Sequence, residues 1–236
     1  MTQDIWIGIE ATGGTAHGWR FDGGSVLAEA SGATVSDVTA HLGDGPALIV
    51  SEGQSAQDVP APALPETLPV PGLSQEKPRG SLCPAARLRI AGALAARQNW
   101  DGAICLPMAD VTHWCQISAG EVVSFQSALT PLLARSLGAS ELADPDALAD
   151  TMSRPERLAL HLRSATLMQS ADAVTGHLLG AEMAAMRPYW LGQRMIVIAQ
   201  NSLYSGALSL QGAPVETLSP QDCAREGLIA LRRRTG

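Results

Sequence analysis

Residues 4–10 form an apolar, β-rich run that meets the turn Ala11-Thr12-Gly13-Gly14-Thr15. A second strand over 17–21 ends at Asp22-Gly23-Gly24, a hairpin signal, and a third follows over 25–30. The chain therefore opens as a three-stranded meander. The pattern next predicts a helix over 35–42 and a strand over 46–50, the alternation of a mixed α/β protein. From 57 to 80 the periodicity is broken by Pro60, Pro62, Pro65, Pro69, Pro71 and Pro78, and a surface-hugging loop is expected.

Helical spacing returns over 84–97, with Leu88, Ala91, Gly92 and Ala95 on one face. Residues 103–106 read as a buried strand ended by Pro107. Strands over 114–117 and 122–125 flank Ser118-Ala119-Gly120-Glu121 as a hairpin. Helices are predicted near 131–137, 154–168 and 172–186, then a strand over 195–199, a helix near 201–211 and a short strand over 214–218. The last helix begins at Ser219, an N-cap residue, with Pro220 at the first helical position. Each half starts with hairpin material and continues with helices and strands. Two lobes follow, 1–98 and 99–236.

Composition narrows the function. Of the 236 residues, 46% are hydrophobic, enough for a substantial core, and only 4% are aromatic, so that core is built from small and aliphatic side chains. The formal net charge of −7 opposes general nucleic-acid binding, which needs a basic surface. The run Arg232-Arg233-Arg234 reads as a solvated helix end. The 4 cysteines have no C-x-x-C spacing, which points to free thiols in a reducing compartment. With no signal-peptide pattern and no apolar run of membrane-spanning length, the expectation is a cytoplasmic protein without a membrane partner. His17, His41, His113, His161 and His177 lack metal-ligand spacing, and neither a P-loop nor a nucleophile elbow is present.

The stretch Leu178-Leu179-Gly180-Ala181-Glu182-Met183-Ala184-Ala185-Met186-Arg187-Pro188-Tyr189 is a small-residue helix halted at a proline, and it runs into the apolar strand 195–199. It resembles the late helix and strand of the 2-dehydro-3-deoxygalactonokinase family, sugar-acid kinases of the actin-like, ribonuclease-H-like superfamily. Val70-Pro71-Gly72-Leu73, Ile90-Ala91-Gly92-Ala93, the spacing from Trp114 through Phe125 to Thr130, and Pro155-Glu156-Arg157-Leu158 are similar to that family as well. The likeness covers nearly the whole chain. It implies a shortened two-lobe actin-like α/β fold, with ATP and Mg²⁺ as cofactors. It also implies phosphorylation of a small sugar acid, 2-dehydro-3-deoxy-D-galactonate, at its 6-hydroxyl. Oligomeric state is left open.

The family's first phosphate loop, Asp-Trp-Gly-Ser-Thr-Asn-x-Arg, falls on Glu10-Ala11-Thr12-Gly13-Gly14-Thr15-Ala16-His17. The resemblance thus makes Glu10 the metal-organising acid and Gly13, Gly14 and Thr15 the phosphate contacts. Its second loop, Pro-Gly-Thr-His-x-Lys-Trp, falls on 107–114 with one residue more. This adds Thr112 and His113 as nucleotide contacts and Asp110 as the acid nearest to a catalytic base. Read from the residues alone, both segments also fit hairpin turns without a ligand. Three motifs depart from the family. Arg-Gly-Glu-Glu is Pro84-Ala85-Ala86-Arg87, Thr-Gly-Glu is Thr130-Pro131-Leu132, and Gly-Thr-x-Leu is Gln200-Asn201-Ser202-Leu203. These departures carry the alternative, a catalytically silent member that binds a sugar acid or a protein. Glu182 reads as a loop cap or a partner of Arg187.

Overall fold

A computed structural model describes residues 4–53 and 55–235. In chain order the elements are β1 (Ile5–Thr12), β2 (Thr15–Asp22), β3 (Ser25–Gly32), α1 (Val35–Leu42), β4 (Ala47–Val50), β5 (Ala56–Asp58), β6 (Ala61–Pro62), β7 (Gly72–Glu76), β8 (Arg79–Leu82) and α2 (Pro84–Leu94). There follow β9 (Gly102–Pro107), β10 (Thr112–Ser118), β11 (Glu121–Ala128), α3 (Thr130–Ser136), α4 (Pro145–Ser153), a 3-10 turn (Pro155–Arg157), α5 (Leu158–Leu167) and α6 (Ala171–Ala185). The chain closes with α7 (Arg187–Trp190), β12 (Met195–Ile198), α8 (Leu203–Leu210), β13 (Val215–Leu218) and α9 (Pro220–Thr235).

Two units divide the chain: 1–101 with 117–124 and 218–236, and 102–116 with 125–217. The sequence placed the last helix in the second lobe, whereas α9 packs in the first unit. The physical reason is a crossing of α2 and α9 so close that only glycine fits. A Cβ on Gly92 would lie 1.8 Å from the carbonyl oxygen of Cys223, and one on Gly227 would lie 2.4 Å from that of Leu88.

In the first unit the sheet runs β3-β2-β1-β4, antiparallel except for the parallel β1–β4 pair. The two-residue period of a strand sends successive side chains of β1 to opposite faces. Ile7 and Ile9 pack with Val38 and Leu42 of α1. Trp6 packs with Leu88 of α2 and Leu228 of α9. Glu10 has the parity of Trp6, so the pleat delivers its carboxylate to the side where α2 lies. Helix α1 begins at a capping box, Thr34 with Asp37.

The 57–80 segment is more regular than its prolines suggest. Strands β5, β7 and β8 form a small sheet in which Glu76 pairs with Arg79, so Pro78 falls in the connecting turn and costs no ladder bond. Residues 61 and 62 pair with the start of β11.

In the second unit β12 runs parallel to β9, with β13 beyond β12 and β10 beyond β9. The core gathers Cys105, Trp114, Leu179, Met183, Val197 and Tyr204. Helix α4 packs on α6 through Gly176 and Gly180, where a Cβ would lie 2.5 Å and 2.4 Å from the carbonyl oxygens of Asp144 and Leu148. The sequence reading had no helix over 145–153, although Asp144 caps it by accepting from the amides of Asp146 and Ala147. Helix α6 ends at Ala185, short of Pro188 as expected, and Pro188 sits in the first turn of α7. No helix among the described residues is long and apolar enough to cross a membrane.

Candidate functional site

The first glycine corner is the two-residue turn of the β1–β2 hairpin, in which Thr12 faces Thr15. Gly13 and Gly14 have φ of 59° and 77°, the left-handed pair that such a turn demands. The hairpin therefore accounts for both glycines. The corner is nonetheless open, since a Cβ on either would meet nothing within 4 Å. The Gly13 N–H donates to the Glu52 carboxylate at 3.1 Å, an anion lodged where a phosphate oxygen was expected. Thr15 turns its hydroxyl back onto the Thr12 carbonyl at 3.1 Å.

Glu10 is 2% exposed. Arg89 of α2 grips both its oxygens, with Nε and one terminal nitrogen each at 2.7 Å. This is the bidentate fork that guanidinium geometry favours. A carboxylate with both oxygens engaged and its charge balanced does not fit the metal-organising role expected of it. Among the described residues no group of three or more His, Cys, Asp or Glu side chains is placed to hold a metal ion.

The segment in which the resemblance expects two glutamates carries Arg87 at its end, and Arg87 is fully buried. Its guanidinium donates to the carbonyls of Pro62 at 2.6 Å, Pro71 at 3.1 Å and Ala63 at 3.3 Å, and to Gln57 Oε1 at 3.0 Å. Burial lowers its pKa to about 10, so the cation persists at neutral pH. Arg87 thus ties the proline-rich segment to α2 by neutral acceptors alone, and that is why the segment is ordered.

The second loop separates the residues expected to act together. Asp110 is exposed and ion-paired with Arg135, which also donates to the Ala109 carbonyl at 2.7 Å. A base that must first release a guanidinium is a weakened one. Thr112 and His113 are buried, because β10 is covered on both faces, and neither is placed as a surface nucleotide contact. Thr112 hydrogen-bonds the Tyr204 hydroxyl at 2.6 Å. His113 Nδ1 meets Ser127 Oγ at 2.8 Å, and burial lowers its pKa to about 4, leaving the ring neutral.

What the sequence reading missed is the buried acid Glu182 on α6. It is neither a loop cap nor bound to Arg187. Its Oε1 accepts from the Trp114 indole at 2.7 Å and its Oε2 from the Tyr204 hydroxyl at 3.0 Å. The hydroxyls of Thr130 and Thr112 also bond to it, while burial raises its pKa. A lone acid on the apolar face Leu178, Leu179, Met183 was the available signal. Its donors lie far away in the chain and could not be read beside it.

Next to this network the second unit holds a pocket of about 210 Å³. Met108, Thr130, Pro131, Leu179, Asn201 and Tyr204 are among its walls. These come from the end of β9, the start of α3, α6 and the approach to α8. Three of the segments aligned with family motifs thus contribute to one cavity: Pro107 and Met108 from the second loop, Thr130 and Pro131, and Asn201 and Leu203.

A family described as 2-keto-3-deoxy-galactonokinase matches residues 31–231. No curated protein matches the chain in sequence. Among solved structures, a candidate 2-dehydro-3-deoxygalactonokinase from Sinorhizobium meliloti is similar at 19% identity, with a TM-score of 0.81 over 97% of this chain and 98% of that one. The activator of 2-hydroxyisocaproyl-CoA dehydratase from Clostridium difficile, solved with ADPNP, is similar at 9% identity and TM-score 0.53, over 98% and 95% of the two chains. The ethanolamine utilization protein EutJ from Carboxydothermus hydrogenoformans is similar at 15% identity and TM-score 0.52, over 98% and 91%. At these identities the likeness establishes the fold, an actin-like α/β architecture. The match over 31–231 establishes more: this chain belongs to the 2-keto-3-deoxy-galactonokinase family.

Proposed function

We propose that this chain is a sugar-acid kinase. It takes the adenine of ATP into the second-unit pocket and phosphorylates 2-dehydro-3-deoxy-D-galactonate at the 6-hydroxyl. The observation that carries this reading is the convergence of Met108, Thr130, Pro131 and Asn201 on one cavity of heterocycle size. ATP supplies the phosphoryl group and brings its own Mg²⁺. The chain's part is to bury the heterocycle among Leu178, Leu179 and Leu203. Asp110, once released by Arg135, receives the proton of the attacking hydroxyl.

A second reading has its own observation. Arg89 engages both oxygens of the acid expected to organise the metal, and the buried Arg87 puts a cation where a carboxylate was expected, which favours a member that binds ligand without transferring phosphoryl. A coupled assay of ADP release with 2-dehydro-3-deoxygalactonate and Mg·ATP separates the two. The kinase reading expects release that depends on the sugar acid. ADP release no faster than in its absence, from folded protein that still binds nucleotide, selects the silent reading. A thermal shift with Mg·ATP supplies the binding arm, since ligand at a hundredfold its Kd adds about 2.7 kcal/mol of stability.

A further inference from the structure

The hydroxyls around the second-unit pocket share one polarity. Thr175 Oγ1 donates to the Ser140 carbonyl at 2.8 Å or to the Ala171 carbonyl at 3.1 Å. Ser140 Oγ donates to the Leu142 carbonyl at 2.7 Å or to Asp172 Oδ1 at 2.6 Å. Tyr204 gives its proton to Glu182 Oε2 at 3.0 Å, and Thr130 hydrogen-bonds to the same carboxylate. All four residues line the pocket. A hydroxyl has one proton and two lone pairs. With each proton committed to a protein oxygen, what remains for a ligand is lone pairs.

The acids fix this direction. Tyr204 cannot turn its proton into the cavity without giving up its bond to Glu182, and Thr130 is held on the same carboxyl group. Glu182 has no cation beside it among its bonded partners. They are an indole and hydroxyls, every one a neutral donor. The remaining wall is apolar, with Pro107, Pro131, Ala134, Leu178 and Leu179 suited to a flat, uncharged body. Asn201 is exposed, and its Oδ1 accepts from the Leu203 amide at 3.2 Å.

We propose that this cavity is a hydrogen-bond-accepting pocket that selects a planar heterocycle carrying an exocyclic amine over its oxo counterpart, and that Glu182 is the positioning residue that sets this preference through Thr130 and Tyr204. The inference rests on the reading of the cavity as the nucleotide's seat. It adds a rule of selection and the residue behind it. Glu182 itself does not touch the ligand. It acts by holding the hydroxyls that do.

Two paired comparisons test it on the full chain. Adenine and hypoxanthine differ at the 6-position as amine against carbonyl, and so do ADP and IDP. Free bases are followed by saturation-transfer NMR and the nucleotides by calorimetry. The expected result is a preference of about tenfold for the amino member of each pair, one well-made hydrogen bond's worth. Glu182→Gln keeps the shape but turns one oxygen into a donor, so one hydroxyl must reverse. The preference should then shrink to about threefold or less while the circular dichroism spectrum stays native. Thr130→Val, which removes a hydroxyl at the cavity wall, should narrow it in the same way if Glu182→Gln does not fold. Equal binding of the two members by the native chain overturns the inference, as does an unchanged preference in both folded variants. Adenine binding without ADP binding leaves the inference standing and removes the nucleotide reading. Binding of neither base nor nucleotide removes both.

Discussion

Arg89→Ala is the sharpest probe of why Glu10 sits where it does. The substitution leaves a carboxylate that is 2% exposed without the fork that holds both its oxygens at 2.7 Å. Removing one partner of a buried ion pair costs about 3–5 kcal/mol, because the remaining charge stays desolvated. For a chain of this length each kcal/mol moves the midpoint by about 2–4 °C, so the thermal midpoint should fall by on the order of 10 °C. The loss is asymmetric. Glu10→Ala leaves an arginine that is 14% exposed and able to reach water, so it should cost less. The double variant should recover part of the loss, and the cycle should give a coupling above about 1 kcal/mol. Urea or thermal melts followed by circular dichroism measure all three variants. A loss below about 1 kcal/mol in Arg89→Ala, with no coupling, would show that the pair does not hold Glu10 and would return that carboxylate to the metal role.

Other expectations can be checked in the same way. Gly92→Ala should cost about 3 kcal/mol or more, or prevent folding, because its Cβ would stand 1.8 Å from a backbone oxygen of α9; a native-like melt would refute the close crossing. The folded state keeps His113 neutral down to about pH 4, against 6.5 for a free ring, so unfolding takes up a proton in that window. Its contribution, about 3 kcal/mol, is complete above pH 6.5 and is lost as the pH falls toward 4; His177, also lowered by burial, acts in the same direction. A stability profile as steep in His113→Gln as in the native chain would contradict this. Asp110→Ala should change stability by less than about 1 kcal/mol, since its pair with Arg135 is exposed. If Asp110 is the base, turnover should nonetheless drop by about 10²–10⁴-fold.

Local pattern carried much of the fold. The glycine corner, the capping box of α1, the long helix α6 and the apolar strand β12 are each decided by residues close together in sequence. Helix α4 escaped because its buried face is short, three residues long at Ala147, Leu148 and Thr151, although the Asp144-Pro145 start was there to be read. Order in the proline-rich segment comes from Arg87, whose acceptors lie 16 to 30 residues away. The placement of α9 depends on two glycines meeting across the chain. The site was less legible for the same reason. Glu10 was found by pattern, but its partner Arg89 is 79 residues distant. Thr112 and His113 carried polar side chains in a strand that is buried on both faces, and only the tertiary structure reveals Tyr204 and Ser127 as their partners. Glu182 gathers donors 22 and 68 residues away, so nothing around it in sequence distinguishes a buried acid from a surface one.

The seat of the nucleotide is the claim on which the functional account turns, and the indole N–H of Trp114 reports on it directly. That N–H donates to Glu182 at 2.7 Å, one hydrogen bond from hydroxyls of cavity-lining residues, whereas the Trp6 indole donates to the Gly23 carbonyl at 2.8 Å in the other unit. In a ¹⁵N-correlated NMR spectrum titrated with ADP, the account predicts a saturable shift of the Trp114 resonance. A titration in which calorimetry registers binding while Trp114 stays in place would contradict it.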